Sequence, residues 1–223
     1  MYSEIFAKSL NADLVNKGLP GSCNRRIIRT TLRDLNEVTS TDEIIVLLGL
    51  TFISRSEVWR ADIPATDNDG HFYQIKPVQN VSWSGGLMDT IVPNIHKKVD
   101  SKIGNYYKEW ILHYSREAQM TELCTDLVML MGWLQRKNIT YRIFSNVDKL
   151  EGNEYIGYTS PFINSLYSTI LEDDGVINPW EFSFGTFARD CGLKPVDEDL
   201  YGIHGHPGAQ AHELFAKYLT ETL

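Results

Sequence analysis

The sequence predicts an α/β protein: a doubly wound, mostly parallel sheet with helices on both faces, a three-layer sandwich. Two short apolar runs carry the reading. Ile44-Ile45-Val46-Leu47-Leu48-Gly49-Leu50 is continuously apolar and partly β-branched, as expected of a strand buried on both faces of a parallel sheet. Thr140-Tyr141-Arg142-Ile143-Phe144 is a second strand pattern. The third observation is what surrounds them, long helical patterns that supply the crossovers parallel strands require.

The elements follow in order. Ser3 to Leu10 has the apolar spacing of a helix (Ile5, Phe6, Leu10), and Ala12 to Asn16 suits a short strand. Gly18-Leu19-Pro20-Gly21 is a turn, because Gly and Pro punctuate the chain. Asn24 is a good N-cap for a helix reaching about Leu35. After the first apolar strand, residues 51–92 form an irregular excursion with Pro64, Pro77, Gly70, Gly85 and Gly86, holding one hairpin signalled by Asp69-Gly70. Two long helices are expected at Pro93 to Tyr114 and Glu117 to Lys137. The second is strongly apolar through Leu123, Leu127, Val128, Leu130, Met131 and Leu134. Further helices are expected at Pro161 to Leu171, Pro179 to Cys191 and Gly208 to Leu223. No repeat or low-complexity linker interrupts the chain, so residues 1–223 read as one domain.

Composition narrows the function classes. Hydrophobic residues make up 43% and charged residues 22% of 223 residues, ordinary for a chain that buries a core. The formal net charge of −8 gives no general attraction to nucleic acid or anionic membrane. Arg25, Arg26, Arg29 and Arg33 are a local exception, read as one solvated helix face. Three widely spaced cysteines, Cys23, Cys124 and Cys191, make neither a disulfide framework nor a zinc ribbon and suit a reducing compartment. With no signal-peptide pattern and no apolar run of membrane-spanning length, a cytoplasmic location is expected.

Ligands of open α/β sheets bind at the carboxyl ends of the strands, which directs attention to two loops. In Asn16-Lys17-Gly18-Leu19-Pro20-Gly21-Ser22-Cys23-Asn24, a strand end meets a helix start. Glycine there lets backbone N–H groups approach a substrate oxygen, and the helix N-terminus favours developing negative charge. A tight turn with Gly21 present for conformation alone explains the same residues equally well. The second loop, Gly202-Ile203-His204-Gly205-His206-Pro207-Gly208, precedes the last helix. A histidine in that position is well placed as a general base. His204 and His206, with His212 or Asp199, also form a weaker metal-ligand pattern. Ser22 and Cys23 lie at a helix start, where a nucleophile would be stabilised, but small buried residues are commoner there. Trp83, Trp110, Trp133 and Trp180 read as core.

Together the segments resemble the SGNH (GDSL-like) hydrolases, in particular a branch common in tailed phages. Val15 to Ile27 resembles that family's second conserved block, preceded by a helix of the type Tyr2 to Leu10 forms. Gly49-Leu50-Thr51 with Arg55 and Glu57 resembles the third block. His206-Pro207-Gly208 with Ala211 to Ala216 resembles the last. The resemblance implies an SGNH/flavodoxin-like sandwich and an acyl hydrolase acting on a small acyl ester or carbohydrate ester, needing no cofactor or metal. It implies Gly21 as an oxyanion donor and His206 as the base, with Asn24, Arg55 and His204 in the substrate site. The chain also departs from the pattern. The block that carries the nucleophilic serine has no counterpart here. Thr51 stands where the family has an oxyanion-binding Asn, and its hydroxyl supplies one donor. Ile203 stands at the position of the triad Asp, leaving Asp197 or Asp199 as the nearby acid. The nucleophile is then expected either upstream of Met1 or as an unconventional one within the chain, such as Ser22. The same departures suit a catalytically inactive binding or assembly protein, encoded by a phage and working in the host cytoplasm.

Overall fold

The computed structural model describes residues 1–18, 22–38, 43–53, 55–59, 72–75, 109, 115–146, 150, 161–193 and 207–223. In chain order the elements are α1 (Tyr2–Ser9), α2 (Asn24–Glu37), β1 (Ile45–Leu50), β2 (Ser56–Trp59), β3 (Phe72–Ile75), α3 (Arg116–Arg136), β4 (Thr140–Ser145), α4 (Pro161–Leu171), α5 (Phe184–Asp190) and α6 (Ala209–Glu221).

β1 and β4 pair in parallel, Ile45 beside Thr140 through Leu50 beside Ser145. Two isolated parallel bridges, Ile143 with Val176 and Ser145 with Ser183, extend the pairing past β4. Among the described residues, no strand pairs with the other edge of β1. β2 and β3 form a separate antiparallel pair, Ser56 beside Ile75 and Trp59 beside Phe72. The expected hairpin is therefore present in its strands, while its Asp69-Gly70 turn lies outside the described residues.

Side chains alternate across a strand, and the two faces of the sheet feed two cores. Leu48, Leu50 and Ile143 join Ile28 of α2, Leu123, Leu127, Leu130 and Leu134 of α3 and Ile163 and Ile170 of α4. Phe144 of β4, with Ile45 and Leu47 of β1, joins Phe6 of α1, Phe184 of α5 and Phe215 and Leu219 of α6. The sheet is thus small and parallel, with helices on both faces. α3 has a fully buried row because positions three and four residues apart share a face: Cys124, Leu127, Leu130 and Leu134 are all inaccessible.

Several expectations change at their boundaries. The N-cap of α2 is Cys23, whose sulfur accepts the Arg26 N–H at 3.4 Å. Asn24 is the first helical residue, because its own amide is engaged elsewhere. Residues 12–16 do not form a strand: they have no regular structure, and Leu14 and Val15 are exposed at 41% and 75%. The helix expected from Pro179 is confined to Phe184–Asp190, capped by Ser183 in a reciprocal box with Thr186. The expected helix at residues 93–114 lies outside the described residues apart from Glu109. So do Trp83 and Trp110; Trp180 is fully buried and Trp133 partly so.

The arginine face is also not the solvated surface its composition suggests. Arg25 is exposed, but Arg26 is 4% exposed and Arg29 is held by Glu57 of β2, whose side chain is 1% exposed. Periodicity identified one helix face; β2, brought against part of it, covers Arg29, while Arg25 stays in solvent.

Candidate functional site

The carboxyl end of β1 meets the start of α2, and the joint is a reciprocal amide pair. Asn24 Nδ2 donates to the Thr51 carbonyl at 2.8 Å, and the Thr51 N–H donates to Asn24 Oδ1 at 2.7 Å. One donor and one acceptor on Thr51 fix which way the amide faces. Both groups are buried, Asn24 at 6% and Thr51 at 5% exposure, so the pair satisfies backbone atoms that would otherwise be stranded where β1 ends. The consequence for Asn24 is direct: its amide positions Thr51 and is not presented to a ligand.

Arg55 completes the corner. Its Nη1 donates to Thr51 Oγ1 at 2.7 Å, and its guanidinium lies 5.0 Å from the centre of the Phe52 ring. A hydroxyl has one proton to donate besides its acceptor capacity. With Arg55 supplying the donor to Thr51 Oγ1, that hydroxyl proton has no acceptor among the described residues. Burial pulls the Arg55 pKa down from its ordinary value, yet a guanidinium stays charged in any protein setting.

Ser22 and Cys23 adjoin this corner. Ser22 is 6% exposed, and its Oγ accepts from Arg26 Nη1 at 3.1 Å. Cys23 is 1% exposed, and burial pushes its thiol up to about 11 although the Arg26 N–H donates to the sulfur. At neutral pH it is a protonated structural thiol, not a nucleophile.

A second cluster follows β4. Gly49 lets Asn146 approach: a Cβ on Gly49 would lie 2.9 Å from the Asn146 Cβ. The Asn146 N–H donates to the Leu50 carbonyl at 2.8 Å, and its Oδ1 accepts from the Tyr2 hydroxyl at 2.9 Å. The Tyr2 N–H donates to His212 Nδ1 at 3.2 Å, and the His212 ring stacks on Tyr2 at 5.8 Å and lies 4.9 Å from Phe184. His212 is thereby a neutral ring with its acceptor nitrogen occupied, so it serves packing and is not a base in this arrangement. Asn146 was not apparent from the sequence, where nothing local distinguishes it, and Tyr2 entered only as the start of the first helix; their long-range pairing was not legible.

Of the residues singled out in the sequence, Ser22, Asn24, Thr51 and Arg55 converge on one corner. Gly21, Asp199, His204 and His206 lie outside the described residues. Among the described residues no cluster of His, Cys, Asp and Glu could hold a metal ion, and no helix is long and apolar enough to cross a membrane.

Comparison with known proteins adds one match. A family model described as a family of unknown function (DUF6071) fits residues 1–161. The chain belongs to that family. The DUF6071 span runs from α1 through β4 and includes the whole Ser22–Asn24–Thr51–Arg55 corner and Glu57. It stops short of the His204-Gly205-His206 loop. No curated protein and no solved structure matches the chain.

Proposed function

We propose that the protein is an SGNH-like acyl-ester hydrolase that uses a histidine base and an oxyanion site at the carboxyl end of β1. The observation that supports this most directly is Thr51. Its backbone is clamped by Asn24, its hydroxyl oxygen accepts a hydrogen bond from Arg55 Nη1, and its own O–H is left to donate among the described residues. A preorganised donor beside a helix start is what stabilises charge developing on a carbonyl oxygen. In this reading a nucleophilic oxygen adds to the ester carbonyl while His206 takes its proton. The carbonyl oxygen becomes the oxyanion held by Thr51 and the Gly21 N–H. The C–O bond to the leaving group then breaks, and the imidazolium returns its proton to the departing alkoxide. Water repeats the sequence in reverse to free the acid.

A second reading is favoured by the burial of the candidate nucleophiles. Ser22 and Cys23 are nearly inaccessible, and Ser22 is tied to Arg26. This suits a phage-encoded binding or assembly protein with the architecture and no turnover.

Hydrolysis of a short acyl p-nitrophenyl ester separates the two. The hydrolase reading expects turnover that falls roughly 10²–10⁴-fold in His206→Ala and is indifferent to EDTA. Turnover abolished by EDTA would instead point to His204 and His206 as metal ligands. Absence of turnover from the wild-type chain sinks the hydrolase reading and leaves the binding protein.

A further inference from the structure

The arginines around this corner differ in what neutralises them. Arg29 is paired with Glu57 through two bonds, Nε to Oε1 at 3.0 Å and Nη2 to Oε2 at 2.8 Å. Arg33 contacts Asp34 at 2.6 Å. Arg55 is half-buried and, among the described residues, has one hydrogen bond, to an uncharged hydroxyl, plus the face of Phe52. Among the described residues no carboxylate pairs with it. A guanidinium partly removed from water and lacking a counter-charge is costly to the fold unless something else supplies the charge. Four of its five N–H donors have no acceptor among the described residues.

The first turn of the 14-residue helix α2 contains no acidic residue of its own, and the carboxylate felt at its N-cap, Glu57, is held by Arg29. Cys23, its N-cap, is near enough to interact electrostatically with Arg55. Thr51 adds a neutral O–H donor bonded to Arg55 itself. A guanidinium fork, a hydroxyl donor and a helix start match an oxyanion with two or more oxygens.

We propose that Arg55 and Thr51 form a binding site for an anionic group, a carboxylate or a phosphate, borne by the ligand. Placed on the hydrolase reading, this makes the substrate an ester whose acyl or alcohol part carries a negative charge. The anion site itself does not require turnover. It also inverts the expectation from net charge: an acidic protein has set aside one cation for an acidic ligand.

The test is titration of the full chain with sodium phosphate and, separately, sodium acetate, against sodium chloride at matched ionic strength, followed by amide NMR shifts and by Tm. Saturable shifts and a saturable rise in Tm with at least one oxyanion, absent with chloride, are expected. Phosphate alone or acetate alone tells which group the ligand bears. Arg55→Gln should weaken binding about 10- to 100-fold, the range of one charge-assisted hydrogen bond. Arg33→Gln, whose charge is already answered by Asp34, should leave binding within about two-fold. If Arg55→Gln does not fold, Thr51→Val must weaken binding in its place, and the wild-type Tm series stands alone. No saturable effect of either oxyanion on the wild-type chain overturns the proposal, as does binding indifferent to Arg55→Gln. Anion binding without ester turnover would refute the hydrolase reading and leave this site standing. Turnover of a neutral ester without anion binding would do the reverse.

Discussion

Asn24 shows how much a single side chain decides. Its amide replaces one rung of backbone pairing at the end of β1, joining residues 27 positions apart in the chain. Asn24→Ala leaves a buried N–H and a buried carbonyl on Thr51 without partners, at about 1–3 kcal/mol each before relaxation. We expect a loss of about 2–4 kcal/mol in urea unfolding. A loss below about 0.5 kcal/mol would mean that water or another group takes over both bonds. At this scale the sequence was partly legible. The types Asn24, Thr51 and Arg55 stood out, but their mutual bonding did not, because local spacing carries no information about a contact 27 residues away. The sequence assigned Asn24 to capping; the tertiary partner claimed its amide, and the cap passed to Cys23.

At the scale of elements, an ion pair ties α2 to the small β2–β3 pair. Glu57 is deeply buried, and Arg29 grips it with two parallel hydrogen bonds. Arg29→Ala removes that grip from a carboxylate with little access to water, and we expect a cost of about 3–5 kcal/mol. The double change Arg29→Met with Glu57→Leu should recover most of it, since replacing both charges removes the desolvation problem as well as the bond. Equal losses in single and double variants, measured by urea unfolding, would show that the pair contributes shape and not charge. The strands were the most legible elements: β1 and β4 each fall within one residue of their apolar patterns. Residues 12–16 were the least. They have strand composition, but a strand exists only when another pairs with it, and Leu14 and Val15 meet none among the described residues. The arginine face of α2 was misread in part for the same reason: Arg29 takes its cover from β2, while Arg25 is exposed as its pattern suggests.

For the whole molecule, the layer of α1, α5 and α6 closes on the sheet through aromatic rings around Phe215, and His212 sits within it. Phe215 lies 4.6 Å from Phe184 and 5.1 Å from Phe144, centre to centre. Burial, with the Met1 amino group adding to it, holds His212 below the ordinary imidazole value of 6.5. The unfolded chain therefore takes up this proton more readily than the folded one. Its contribution to stability is complete above the unfolded value and is lost as pH falls through the folded one. A protonated His212 also cannot accept the Tyr2 N–H. We expect the urea midpoint to drop between about pH 7.5 and 5, and His212→Gln, which keeps an acceptor, to drop less over the same interval. Parallel curves for the two proteins would assign the pH dependence elsewhere. The layered α/β arrangement was legible because hydrophobic period alone separates strands from helices. The width of the sheet was not, because period does not count neighbours.

The uneven edges of the sheet carry a consequence for the corner itself. β1 gives one edge to β4, and no described strand takes the other, although its residues are apolar throughout. Strands add to such an edge at a fixed spacing of about 4.8 Å. A strand laid alongside β1 in the same direction would finish level with Leu50 and deliver its next residue beside Thr51, Asn24 and Arg55. A side chain that arrived along that edge would be one the corner receives.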